Sequence, residues 1–314
     1  MSFLLKEMSS SFSSCTSCSI LGAMQRIIFF ALVFFVAVAT QAQIQVGLKL
    51  KRLQYIAYEP VIATLTITNM AGRDVELRDA AGQHWFGFEV TSGEGRSLGP
   101  MANVAPESPL TIEAGKTVTR KINLTPIYPI NDFGSYHLRA NVYFADLGKY
   151  FYSTTKVFQV TDGRPIWQKT VGMPDGVGGG GNTRTFSLLS NRFPDHTSLY
   201  ARVENKESGV VFSTFSLGRS IAYDDPEAEF DRGNQLHVLH CASPRSWAYS
   251  RIGLNGELLE HDIFMQTKSR PHLRHTADGM VAVHGGIRES LIAQSPRNPA
   301  PKLSTRPVEP PKDE

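Results

Sequence analysis

The sequence predicts an all-β protein, and three observations carry that expectation. Apolar and polar residues alternate with period two through most of the chain after residue 43, as half-buried strands require. Gly, Pro, Asn and Asp punctuate these runs at short intervals, which is the pattern of strands joined by turns. Hydrophobic residues make up 41% and aromatic residues 10% against 19% charged residues, so the composition suits packed, β-friendly cores rather than disorder. At 314 residues, two domains of ordinary size are expected.

The first element is a leader. From Met24 the chain reads MQRIIFFALVFFVAVATQAQ, with one positive charge at Arg26, an apolar stretch over 27–39 and small residues suited to cleavage near Ala39 or Ala42. This pattern predicts a Sec-type signal peptide within 1–43, a true start at Met24, and export to the periplasm or outside. The alternative is an uncleaved signal acting as a membrane anchor; after cleavage no membrane span is expected. Cys15 and Cys18 form a CxxC in Ser-rich leader sequence, so export leaves Cys241 alone and without an internal disulfide partner.

Strands follow in order over 44–162. Val46, Leu48 and Leu50 alternate in QVGLKL, and Val61, Ala63, Leu65 and Ile67 alternate in PVIATLTITN, before a turn at 69–72. Further strands are read at 74–77, 84–91, 117–124, 135–145 and 150–161. About seven short strands in such a span predict an antiparallel sandwich. Tyr58-Glu-Pro-Val61 leading into TLTITN, and Asp132-Phe-Gly-Ser-Tyr136 leading into HLRANVYF, resemble immunoglobulin-like domains of bacterial exported proteins, including macroglobulin-type modules and the BsuPI-type proteinase-inhibitor domain. The resemblance implies a sandwich fold, a tyrosine corner whose Tyr136 hydroxyl ties back to upstream backbone, and proteinase inhibition through loops as one function.

Residues 163–184, with Pro165, Pro174 and a glycine run at 178–181, are read as a Gly/Pro-rich junction. The glycine run lacks the strand, helix and Lys that a phosphate cradle needs. Self-similarity organises 185–290. Leu199-Tyr-Ala-Arg-Val203 aligns with Leu236-His-Val-Leu-His240, and a third start falls at Met280-Val-Ala-Val-His284, where PHLRHTADGMVAVHGG parallels AEFDRGNQLHVLHC. These units resemble β-propeller blades. Closed propellers typically need about four to eight blades, and the chain has room for little more than two, so an open or stacked array is expected, completed by the first domain or by another chain in an oligomer. A disordered Pro-rich tail is expected over 291–314.

Two groups of side chains are candidate sites. His240 and Cys241 lie in LHVLHC, and His240 with His284, across equivalent units, and with His272 and His275 nearby, forms a candidate transition-metal set of the zinc class. His237 and His240, three apart on a strand, face opposite ways and do not share an ion. The acidic run 224–231, with Asp225, Glu227, Glu229 and Asp231, offers oxygen ligands suited to Ca²⁺ but lacks the EF-hand pattern, which favours a solvated edge segment. Trp85, Phe86, Phe88, Tyr150 and Tyr152 place rings on both faces of their strands, giving either a binding face or, the favoured reading, the contact between domains.

A net charge of +3 with scattered basic residues argues against a nucleic-acid partner. No nucleophile elbow, zincin or P-loop signature is present. The expected function is an exported, non-catalytic binding or scaffolding protein of the cell envelope, without a cofactor, whose partner is a protein or glycan. The alternatives are a secreted hydrolase or metalloenzyme using the histidines of the C-terminal domain, and a proteinase inhibitor.

Overall fold

The computed structural model describes residues 44–101, 108–173, 183–221 and 223–290. The leader, the glycine run at 178–181 and the Pro-rich tail lie outside the described residues. Every sheet is built from short strands, and among the described residues no helix is long and apolar enough to cross a membrane.

Residues 44–161 carry β1 (Ile44–Leu50), β2 (Gln54–Ile56), β3 (Ile62–Asn69), β4 (Val75–Leu77), β5 (Phe86–Ser92), β6 (Ser97–Leu98), β7 (Leu110–Ile112), β8 (Thr117–Asn123), β9 (Gly134–Phe144), β10 (Lys149–Tyr152) and β11 (Lys156–Thr161). One sheet runs β1-β3-β8 and the other β2-β11-β9-β5-β6, with β10 also on β9, while β4 and β7 form a short ribbon. Their inner faces meet in one core that includes Leu48, Leu65, Ile67, Trp85, Leu138, Val142 and Phe158. The alternation read from β3 is obeyed: Ala63, Leu65 and Ile67 are buried and the threonines between them are half-exposed. One pairing departs from the antiparallel expectation, since β2 runs parallel to β11. A side-chain pattern specifies which face is buried and is silent on strand direction.

The expected tie of Tyr136 is present: its hydroxyl donates to the Asp132 carbonyl at 2.7 Å, and its ring stacks on Phe158 at 5.4 Å. Tyr136→Phe keeps the ring and removes one hydrogen bond, so a loss of about 1 kcal/mol in urea unfolding is expected; an unchanged midpoint would show that the bond contributes nothing.

The remaining strands are β12 (Arg164–Gly172), β13 (Thr183–Arg192), β14 (Thr197–Asn205), β15 (Val210–Ser220), β16 (Glu227–Phe230), β17 (Leu236–Ser243), β18 (Ser246–Ile252), β19 (Leu258–Met265), β20 (His272–His275), β21 (Val281–His284) and β22 (Ile287–Arg288). They form a β12-β13-β14-β15 meander, a β16-β17-β18-β19-β22 sheet and a β20-β21 hairpin. The first two sheets face each other through Phe186, Leu199, Ala201, Val203, Leu236 and Val238. The hairpin covers the far face of the second sheet, where Leu273 and Val283 pack on Leu239, Cys241 and Trp247.

Two expectations are corrected. Residues 164–172, read as part of an irregular junction, form an edge strand that tolerates Pro165 because the register shifts between Pro165 and Trp167. The alignment of Leu199 with Leu236 overlays the third strand of one sheet on the second strand of the next, so the aligned residues face each other across the interface instead of pointing the same way. Any two half-buried strands match at period two, and that match does not fix their place in a sheet. The third unit shares the hairpin form of β16-β17 but lies one residue out of the aligned register: Phe230 pairs with Leu236 and His275 with Val281, so Leu236 corresponds to Val281 and not to Met280.

The halves join at a compact contact. Ile56 packs with Leu189 and Tyr200, and Gly163 sits where a Cβ would lie 2.8 Å from Leu189 and 2.9 Å from Ile56. Arg52 bonds both the buried Glu59 carboxylate and the Tyr200 hydroxyl. Arg202 donates to the Ala57 carbonyl at 3.0 Å, pairs with Asp162 at 3.5 Å and lies over the Tyr58 ring at 5.6 Å. The Tyr58-Glu59 motif therefore builds the joint, with Tyr58 at a positive φ of 68° to turn the chain.

Candidate functional site

A groove of about 430 Å³ opens on the N-terminal half, and all of its lining comes from that half. Its geometry begins with the pairing of β5. Trp85 gives its carbonyl to the Tyr143 amide at 2.7 Å, so by antiparallel alternation Gly87 and Glu89 also bond toward β9, while the backbone groups of Phe86 and Phe88 point the other way. On that side β6 pairs only with Val90 and Thr91. Among the described residues no strand pairs with β5 at Phe86 or Phe88 on the side away from β9. The Tyr128 hydroxyl donates to the Phe88 carbonyl at 2.9 Å, which leaves Phe86 N–H, Phe86 C=O and Phe88 N–H on the side without a partner strand, at residues that line the groove.

Aromatic rings frame this open edge. Phe86 and Phe88 lie opposite Val142 and Ala140 and share their inward face, with ring centroids 6.2 Å apart and edges turned to each other. Tyr150 and Tyr152 stand on the outer face, 6.1 Å apart and stacked. Gly87, opposite Asn141, supplies no side chain between the two sets, so they meet in one cleft. Arg139 covers Tyr152 at 4.1 Å and pairs with Glu89, its Nε lying 3.0 Å from the carboxylate. The Tyr150 hydroxyl donates to the Gln83 side chain. Burial raises the Tyr150 phenol above its ordinary value, with the Tyr152 and Tyr143 phenols adding to the effect, and burial likewise raises Tyr128 against the opposing hydrogen bond with Phe88. These phenols are neutral donors around a mainly apolar cleft, which suits binding rather than bond-breaking chemistry.

Four of the five aromatic residues singled out from the sequence, Phe86, Phe88, Tyr150 and Tyr152, line this groove. Trp85 does not: it is fully buried in the core, with its amide on Asp79 at 2.8 Å. It sits before β5, where the chain is still leaving a turn, so strand alternation does not place its ring. The patch is not the contact between the halves, which runs through Arg52, Ile56 and Arg202. Sequence reasoning passed over Tyr128, which closes the groove from PIYPI, and Gly87, whose position between two phenylalanines was the available signal.

The histidines are dispersed. His240 is fully buried and faces the first sheet, its Nε2 bonded to the Arg219 carbonyl at 3.2 Å. His237 faces the other way, between Tyr249 at 2.8 Å and Asp231 at 3.1 Å. His284 belongs to the hairpin on the far side of the second sheet, so it does not meet His240. His275 pairs with Glu229 at 3.5 Å, whereas His272 lies directly opposite His284. Cys241 is buried, its thiol pushed up by burial, and its S–H donates to the Ser243 carbonyl. Among the described residues no group of three or more His, Cys, Asp or Glu side chains is placed to hold a metal ion.

The Tyr249–His237–Asp231 chain has the connectivity of a catalytic relay, but His237 and Asp231 are each only 2% exposed. Asp231 also accepts the amides of Gly233 and Gln235, so the chain fastens the β16–β17 turn. Tyr249 is pushed up to about 12, chiefly by burial, which leaves no reactive phenolate. The acidic run is likewise divided among separate partners: Asp224 and Glu227 pair with Arg270, and Glu227 also takes the Leu273 amide at 2.6 Å.

No family model and no curated protein matches the chain. Among solved structures, the sporulation control protein Spo0M from Bacillus subtilis matches at 10% identity over 56% of this chain and 91% of that one, with a TM-score of 0.26. A superposition that loose carries no argument about function.

Proposed function

We propose that the chain is an exported, non-catalytic binding protein of the cell envelope that holds an extended polypeptide segment against β5. In this reading the N-terminal half is an immunoglobulin-like sandwich, and the C-terminal half is an open stack of blade-like sheets that supports it. The observation that carries the proposal is the unpaired β5 edge at Phe86 and Phe88, set inside an aromatic groove. Added-strand recognition uses those two parts, main-chain hydrogen bonds for affinity and side-chain pockets for selectivity. Export rests on the leader sequence alone.

Selection of random peptides displayed on phage, against the chain without residues 1–43, tests the reading. Recovered peptides are expected to alternate apolar and polar residues, and Tyr150→Ala with Tyr152→Ala is expected to weaken them by at least about tenfold while leaving the unfolding midpoint unchanged, since both rings are at the rim. Failure to recover any peptide, or recovered peptides indifferent to both substitutions, would overturn it.

A further inference from the structure

The β20-β21 hairpin pairs two histidines in direct register, His272 with His284, and their ring centroids lie 5.5 Å apart at an interplanar angle of 42°. Neither ring is used by the groove or by the joint between the halves. We propose that His272 and His284 together bind one divalent transition-metal ion of the zinc or copper class, with water completing the coordination.

Three observations support this. The first is the tautomer of His272. Its Nδ1 lies 3.2 Å from the Arg270 carbonyl, which only accepts, so in the neutral ring Nδ1 carries the hydrogen and Nε2 carries the lone pair. A backbone carbonyl behind one ring nitrogen is also the usual support for a metal-binding histidine, because it fixes the tautomer and the ring orientation.

The second is that Nε2 of His272 is buried and has no hydrogen-bond partner. A buried lone pair left unsatisfied is costly, and an ion at that position would remove the cost.

The third is the spacing. With metal–nitrogen bonds of about 2.0–2.1 Å and a ring nitrogen about 1.1 Å from its centroid, two imidazoles held tetrahedrally on one ion place their centroids about 5.2 Å apart. The observed 5.5 Å is within reach of a small side-chain adjustment. The hairpin holds both rings on one face of a two-stranded ribbon, because residues directly opposite each other share a face.

The chemistry of the donors sets the class of ion. Two neutral imidazoles suit zinc and copper over magnesium or calcium, and a site with two protein ligands lacks the closed four-ligand cage of structural zinc. Copper(II) is therefore expected to bind more tightly than zinc(II), following the general order of divalent affinities. Cys241 sits on the opposite side of the hairpin, with Leu273 and Val283, and is not a ligand. His275 alternates to the other face from His272 along β20.

Titration of the chain without residues 1–43 with copper(II) and, separately, zinc(II), followed by calorimetry, tests the site. One ion per chain is expected at the hairpin. His272→Ala and His284→Ala are each expected to weaken it by at least about tenfold, and His275→Ala is expected to leave it unchanged. Copper(II) added to the unsubstituted chain provides a readout independent of any variant: selective broadening of the His272 and His284 ring signals in NMR spectra, and nitrogen coupling from two imidazoles in the electron paramagnetic resonance spectrum. Binding that survives the His272→Ala/His284→Ala double substitution, or broadening centred on other histidines, would overturn the proposal.

Discussion

Arg52→Ala is expected to destabilise the protein by about 3 kcal/mol at neutral pH, the lower part of the range for removing one member of a buried ion pair. The lower part applies because the Arg52 side chain keeps 28% exposure, while Glu59 keeps only 5%. Glu59 also accepts the Ile56 amide at 3.2 Å, so its carboxylate stays in place when its partner is removed. Burial holds the Glu59 carboxyl above its ordinary value, with Arg52 opposing that shift. A carboxyl raised in the folded chain takes up a proton more readily folded than unfolded. Its favourable contribution is present below the unfolded value and is lost as pH rises through the folded one. Without Arg52 the shift grows, so the deficit of Arg52→Ala is expected to be smaller at pH 5 than at pH 8, and Glu59→Gln combined with Arg52→Ala is expected to flatten that dependence. Urea midpoints at the two pH values check this. An equal deficit at both would show that the carboxylate is not what the substitution exposes.

Acidification acts on the second half through His240. Burial pushes this imidazole down to about 4, with His261 adding to the shift and the Arg219 carbonyl opposing it. A histidine lowered in the folded chain contributes stability that is present above its unfolded value and is lost as pH falls toward the folded one. The wild type is therefore expected to lose on the order of 3 kcal/mol between pH 7 and pH 4 from this group. His240→Leu, which fills the site and cannot charge, is expected to lose less over the same interval, at a fixed cost of about 1 kcal/mol for the unsatisfied Arg219 carbonyl. Parallel acid profiles for the two proteins would place the charge sensitivity elsewhere.

The sequence made the strands of the N-terminal half legible because their buried faces obey a strict period of two. Val46, Leu48, Leu65 and Ile67 could be assigned to a core without reference to any partner strand. The same rule correctly separated His237 from His240. It failed where a residue lay outside a regular strand, as with Trp85, and where two strands shared a pattern but not a place in the sheet, as with Leu199 and Leu236. Pairing is a long-range property, and the alternation that marks a strand is shared by all of its possible neighbours.

The candidate groove was half visible for the same reason. Phe86, Phe88, Tyr150 and Tyr152 could be singled out as rings in excess of one face, yet the open edge of β5 that gives them a purpose depends on how far β6 extends, only to Val90 and Thr91. Tyr128 was not legible, because its part in the groove comes from a bond to the Phe88 carbonyl, 40 residues away in the chain. The His272–His284 pair was proposed from the sequence as part of a wider set, and only strand register shows which two of its members meet.

Amide hydrogen exchange in the presence of a selected peptide tests the account most directly. Added-strand binding predicts that the Phe86 and Phe88 amides slow by at least about tenfold on peptide addition, while Gly87 and Glu89, already bonded toward β9, stay as they were. A peptide that binds the chain and leaves the Phe86 and Phe88 amides exchanging at their free rates would contradict it.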